Sequence, residues 1–145
     1  MVEIVIRQSS ATTWRELFNE VAEYALKNNL VKNGYKEFLI SREEEYPTGL
    51  KYNDSFAIAL PHADIKYSNR QCIILVKPAN KITFNRMDDK NSTVDVDLVA
   101  FLIITDAETY SKFLSKLVTY FQDQNVQNLI KLGKLDIIAN ELRKL

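Results

Sequence analysis

The sequence predicts an α/β sandwich: one domain over residues 1–145, with a mixed sheet of about five strands flanked by helices. Three observations predict it. Short apolar runs rich in β-branched residues recur at Val2–Ile6, Phe56–Leu60, Cys72–Val76, Ile82–Phe84 and Val94–Thr105, and the unbroken ones suit strands covered on both faces. In other segments the apolar residues return every three or four positions, as on one face of a helix. The elements follow in the order β, α, α, β, β, β, β, α, α, α, with no linker and no internal repeat.

Each element has a local reason. Val2 to Ile6 alternates loosely and reads as a first strand. Thr13-x-x-Glu16 has the form of a capping box, and Trp14, Leu17, Phe18, Val21, Ala22 and Ala25 then follow at helical spacing. Asn33-Gly34 breaks the chain before a second helix, Tyr35 to Glu45, which Tyr46-Pro47-Thr48-Gly49 brings to an end as the start of a loop. Val94 to Thr105 is the longest strand candidate. Asp106 can cap a third helix carrying Tyr110, Phe113, Leu114, Leu117, Val118 and Phe121. Two shorter helices, Val126–Leu132 and Leu135–Lys144, are separated by Gly133 as a C-terminal stop.

Charge and cysteine usage exclude several function classes. Nineteen basic and nineteen acidic residues cancel, so no net field draws the chain to nucleic acid or an anionic membrane. No apolar run reaches the ~18 residues that span a bilayer, and the N-terminus lacks a secretory pattern, so a cytoplasmic location is expected. The single cysteine, Cys72, lies inside an apolar run, where a buried, unreactive thiol is expected. Only three glycines are present, with no dinucleotide or Walker loop. No serine stands in a nucleophile elbow, and no cluster has the spacing of metal ligands.

What remains is chemistry that one imidazole performs. The only histidine stands in Ala59-Leu60-Pro61-His62-Ala63-Asp64. Pro61 holds Leu60 extended and interrupts the strand ladder, so His62 emerges past the C-terminal end of a buried strand, where α/β proteins commonly build sites. A neutral imidazole, with an ordinary pKa of about 6.5, is a nucleophile toward phosphorus near neutral pH. On sequence grounds alone a loop histidine also suits a hydrogen-bonded structural role. The second segment of interest is Ser41-Arg42-Glu43-Glu44-Glu45-Tyr46-Pro47-Thr48-Gly49-Leu50. It reads either as a solvated helix end and turn or as something more, because three acids at a helix C-terminus oppose the macrodipole.

Together, in this order, the two segments resemble the enzyme IIA components of the bacterial phosphoenolpyruvate-dependent sugar phosphotransferase system, mannitol/fructose-type superfamily, over nearly the whole chain. That family's pattern is an arginine and an acid before an aromatic-Pro-Thr-Gly turn, then a strand ending in Ile-Ala-Ile-Pro-His. Here it reads Arg42 to Gly49, then Ala57-Ile58-Ala59-Leu60-Pro61-His62. Within the superfamily, Lys77-Pro78-Ala79-Asn80-Lys81-Ile82-Thr83-Phe84 followed by Met87-Asp88-Asp89 is most similar to the galactitol-type branch.

The resemblance implies a phosphohistidine intermediate on His62, fed by the general phosphocarrier protein HPr and discharged to a cysteine of a separate IIB protein. It implies no cofactor and no metal, and a monomer is expected. Arg42 is the cation expected beside the phosphoryl group, since its planar fork can hold two oxygens. Backbone N–H groups around Ala63 and Asp64, and Thr48 in the turn, are weaker phosphoryl-binding candidates. Mannitol and fructose forms carry a second active-site histidine where this chain has Tyr110. The alternative function is a regulatory IIA-like domain whose phosphorylation at His62 controls a protein partner.

Overall fold

The computed structural model describes residues 2–145. Strand β1 (Glu3–Ser9) leads into helices α1 (Trp14–Lys27) and α2 (Tyr35–Glu45), then β2 (Gly49–Asn53), β3 (Phe56–Ala59) and β4 (Cys72–Pro78). Strands β5 (Ile82–Asn85), β6 (Thr93–Val96) and β7 (Leu98–Ile103) follow, and α3 (Ala107–Tyr120), α4 (Gln124–Lys131) and α5 (Leu135–Leu142) complete the chain. The main sheet has five strands in the order β1-β4-β7-β3-β2, while β5 and β6 pair separately. It is mixed: β1 runs parallel to β4 and β3 parallel to β7, whereas β4 with β7 and β2 with β3 are antiparallel.

Both faces of the sheet are covered, which is why its central strands are apolar without alternation. Cys72, Ile74 and Val76 of β4 face a core with Leu17, Phe18 and Val21 of α1, Leu39 of α2, and Ile82 and Phe84 of β5. Ile73 and Leu75 face the other way, toward Leu117 and Phe121 at the end of α3, Ile130 of α4 and Ile138 of α5. The Cys72 thiol is fully buried, as expected, and burial pushes its pKa up to about 12, so it is not a nucleophile at neutral pH.

The helix punctuation read from the sequence has its physical counterpart. Thr13 Oγ1 accepts the Glu16 N–H at 3.1 Å, and Asp106 Oδ1 accepts that of Thr109 at 2.7 Å. Gly133 adopts a left-handed φ of 76° just past α4, a conformation that carries little penalty without a Cβ. Helix α4 begins two residues earlier than its apolar spacing indicates, because Asp123 accepts the N–H groups of Asn125 and Val126 and caps it.

Two expectations about strands are corrected. The segment after Pro47 is not a loop but strand β2, a hairpin partner of β3. Asn53 closes that hairpin, its side-chain oxygen accepting the Ser55 N–H at 2.8 Å. The run Val94 to Thr105 is not one strand: it divides at Asp97 into β6 and β7, which belong to different sheets. Asp97 is buried and exchanges hydrogen bonds with the backbone of Ala57, donating its N–H at 2.8 Å and accepting through Oδ2 at 3.2 Å, while Lys81 neutralises it at 3.3 Å.

The β5–β6 hairpin lies against the start of β2, and Gly49 makes this possible. A Cβ at Gly49 would stand 2.6 Å from the Asn85 carbonyl oxygen and 3.0 Å from a Val94 methyl carbon. Backbone cannot yield as a flexible side chain does. Gly49→Ala is therefore expected to cost about 1–3 kcal/mol, the usual cost of overpacking, read as a lower midpoint in thermal or denaturant unfolding.

Candidate functional site

His62 sits where β3 runs out beside its parallel neighbour β7. Pro61 carries no N–H, but its carbonyl accepts the Leu102 N–H at 3.0 Å, so the chain stays in line with the sheet and His62 bridges to Leu102. The imidazole Nδ1 lies 2.9 Å from the Leu60 carbonyl oxygen. A carbonyl can only accept, so Nδ1 carries the hydrogen and Nε2 is left with its lone pair. Burial, and in smaller measure the nearby Arg42 charge, hold the ring below the ordinary histidine pKa against the opposing pull of the Leu60 carbonyl. The neutral, nucleophilic form is favoured.

Arg42 reaches the same place from the last turn of α2. Its guanidinium lies 5.6 Å from the centre of the Tyr46 ring, and its Nε is buried without a protein partner. The neighbouring acid fixes the turn. Glu43, only 4% exposed, accepts the Thr48 N–H and the Thr48 hydroxyl, each at 2.8 Å. Burial raises its pKa to about 7, although both Thr48 donors and the Arg42 charge pull it down. This accounts for one of the three acids that oppose the helix dipole. Glu44 meets Arg15 at 3.1 Å on the surface, and Glu45 lines the cleft in front of His62.

That cleft has a volume of about 420 Å³ and is bounded by Arg42, Tyr46, Thr48, His62 and the tip of the β5–β6 hairpin at Met87, Asp88 and Lys90. A roomier depression of about 610 Å³ beside Ser10, Lys77 and Lys131 contains no imidazole or guanidinium, so volume does not choose the site. The Arg86 guanidinium is held by Asp88 at 2.9 and 2.6 Å, and the Met87 N–H donates to the Gly49 carbonyl at 2.8 Å, so the tip is ordered against β2. Sequence reasoning associated Met87 to Asp89 with a family branch but not with His62. No motif in the sequence marks Lys90. The apolar pattern gives a short strand at Ile82–Phe84, but nothing in it says that this strand pairs in a hairpin or that Gly49 receives it.

Of the residues expected at the site, Arg42, Thr48 and His62 share the cleft. Thr48 corrects the expectation placed on it, because both its donors are already given to Glu43 and none is free for a phosphoryl group. Asp64 turns its carboxylate to its own backbone, accepting the Lys66 N–H at 3.0 Å to cap the short helical turn Ile65–Tyr67. Ala63 follows His62 and packs against the α1 face core. Tyr110 stands behind the imidazole, ring centres 5.1 Å apart at 55°, with its hydroxyl buried and unpartnered. Burial raises that phenol to a pKa of about 12 against the opposing Arg42 charge, so it is a hydrogen-bond donor at neutral pH. Among the described residues no group of acids, cysteine and histidine could hold a metal ion, and no helix is long and apolar enough to cross a membrane.

A sheet covered on both faces, with an imidazole and a guanidinium where parallel strands end, defines a class that known proteins identify. The model of the family "Phosphoenolpyruvate-dependent sugar phosphotransferase system, EIIA 2" matches residues 2–144. The galactitol-specific EIIA component of Escherichia coli K12 is 33% identical over 123 residues, covering 84% of this chain and 81% of that protein. Escherichia coli enzyme IIA for mannitol, in its complex with phosphorylated enzyme IIB, superposes with a TM-score of 0.75 at 18% identity over 99% of this chain and 95% of that one. A PTS IIA domain of Streptococcus pyogenes M1 GAS gives 0.70 at 22% identity over 97% and 89%. The chain belongs to the EIIA 2 family of the sugar phosphotransferase system, whose members are phosphotransferases working through a phosphohistidine. Within it, the chain is galactitol-like.

The raised pKa of Glu43 has a consequence for stability. A carboxyl that holds its proton more tightly when folded contributes stability that is full below the unfolded value of about 4.3 and is lost as pH rises through about 7. His62 acts in the opposite sense, costing stability as pH falls below about 6.5. The thermal midpoint advantage of wild type over Glu43→Gln is expected to shrink from pH 4.5 to pH 8, with pH-scanned melting curves of both proteins as the check.

Proposed function

We propose that the chain is the IIA phosphocarrier of a sugar or polyol phosphotransferase system, taking a phosphoryl group from phosphorylated HPr on His62 Nε2 and passing it to a cysteine of a IIB protein. The observation that carries this is the Nδ1–H bond to the Leu60 carbonyl, which leaves the Nε2 lone pair free in a cleft shared with Arg42. In the first step that lone pair forms the N–P bond, while the bond from phosphorus to the donor imidazole breaks and leaves its electron pair on the donor ring. In the second, the IIB thiolate attacks phosphorus and the pair returns to Nε2. The transferred group is loosely bonded in the transition state and carries its charge on its equatorial oxygens, so alignment and a cation are what the protein must supply. Arg42 supplies the charge.

Two features support transfer between proteins. Tyr46 is 59% exposed and Met87 46% exposed at the mouth of the cleft, an apolar rim suited to a protein surface. The galactitol-specific name of the 33% identical relative supports a transport role over a purely regulatory one, and a galactitol-like polyol as the cargo. The chain acts as a monomer in the cytoplasm.

Incubation with phosphoenolpyruvate, enzyme I and HPr, followed by intact mass, is expected to show one phosphoryl adduct on wild type and none on His62→Ala. The adduct should be lost in acid and kept in base, as a phosphoimidazole is. A full or acid-stable adduct on the Ala variant would overturn the assignment. Arg42→Lys keeps the charge but loses the fork, and should slow transfer by roughly a hundredfold while changing stability by no more than about 1 kcal/mol. Rapid-quench transfer rates set beside thermal midpoints separate the two effects.

A further inference from the structure

Two buried hydrogen-bond donors beside His62 find no acceptor in the fold: Nε of Arg42, from the end of α2, and the hydroxyl of Tyr110, from the first turns of α3. A buried donor left unpaired costs about 1–3 kcal/mol, and each one in a folded protein calls for a reason. Both side chains neighbour the imidazole, Tyr110 by its ring and Arg42 across the cleft. The Tyr110 ring packs 5.1 Å from the imidazole, and the Arg42 charge is felt by both the imidazole and the phenol. Orphan atoms elsewhere do not converge in this way: Arg7 stacks on Tyr24 at 4.1 Å, and Tyr35 lies in the core toward Cys72.

Two neighbours of the imidazole offer no side-chain or backbone donor of their own. Pro61 has no N–H, and Thr48 gives both its hydrogens to Glu43. A phosphoryl group brings three strongly accepting oxygens. Its arrival on Nε2 would provide acceptors for the donors the fold leaves without one.

We infer that Tyr110 is a phosphoryl-binding residue, its hydroxyl donating a hydrogen bond to one oxygen of the phosphoryl group on His62 Nε2 while Arg42 donates to another. This rests on the reading of His62 as the phosphoryl acceptor. The phenol keeps its proton throughout: the Nε2 lone pair makes the N–P bond, the donor's bond to phosphorus breaks with its pair, and Tyr110 only neutralises charge on the transferred oxygens. The tyrosine ring has a separate task, packing against the imidazole, which removal of the hydroxyl alone leaves in place.

The test is Tyr110→Phe, which deletes one oxygen and keeps the ring. Transfer from phosphorylated HPr is expected to slow roughly 10- to 100-fold, as for loss of one hydrogen bond to a charged group, in the maximal rate more than in the apparent affinity for HPr. The phosphorus resonance of the phosphorylated protein should move, and the thermal midpoint should hold or rise because an orphan donor is gone. A Phe variant labelled as fast as wild type, with the same phosphorus resonance, overturns the proposal and leaves the reading of His62 intact. Slowing that merely follows a lowered midpoint also overturns it. A wild type that takes no phosphoryl group, or a His62→Ala variant that does, removes the reading of His62 and the proposal with it.

Discussion

The site is assembled around the carboxyl group of Glu43. Helix α2 ends with Glu43 turned inward, and its two oxygens accept the backbone N–H and the hydroxyl of Thr48 at the first residue after the proline turn. Both bonds are buried, so breaking them would strand two donors at about 1–3 kcal/mol each. Through this clamp the end of the helix is fixed to the beginning of β2. Since the Leu60 N–H donates to the Thr48 carbonyl at 3.3 Å, it is also fixed to the segment that carries His62. Arg42, one residue before Glu43, is thereby presented to the cleft and not to open solvent.

The imidazole itself is set by backbone. The Leu60 carbonyl selects the tautomer with hydrogen on Nδ1, and burial keeps the ring uncharged. A residue that titrates near neutral pH in water is in this way held ready as a nucleophile. Beside it, Arg42 Nε and the Tyr110 hydroxyl are buried without a partner in the fold. Buried donors of this kind lower stability by about 1–3 kcal/mol each. The two-sided sheet beneath it, with its central strands buried on both faces, gives this polar cluster a closely packed frame.

The small β5–β6 hairpin illustrates how a site can depend on a missing side chain. Gly49 allows two backbones to approach more closely than any Cβ would permit, and the hairpin tip then overhangs the cleft with Met87 and Lys90. In the other direction, Asp97 marks the point at which the chain leaves this hairpin and joins the main sheet. Its carboxylate is buried and is offset by Lys81, so removing either partner alone would leave an unbalanced charge.

Residue order by itself determined the helices, because their spacing and caps are local: Thr13, Asp106 and Gly133 act within a few residues of the ends they define. It also singled out His62 as the candidate for chemistry, since the sequence holds no other imidazole and Pro61 marks where its strand stops. The apolar runs announced a covered sheet, but they do not encode partners. That Val94 to Thr105 is divided between two sheets follows from hydrogen bonds between Asp97 and Ala57, forty positions away. Strand β2, with its polar Lys51 and Asn53, is ordered by pairing with β3 and not by any propensity of its own. Only the tertiary structure assigned Thr48 to Glu43, brought Lys90 to the cleft and left the Tyr110 hydroxyl without a partner. Each of these depends on which groups remain unpaired or come close after packing, a property of distances between segments that local sequence does not carry.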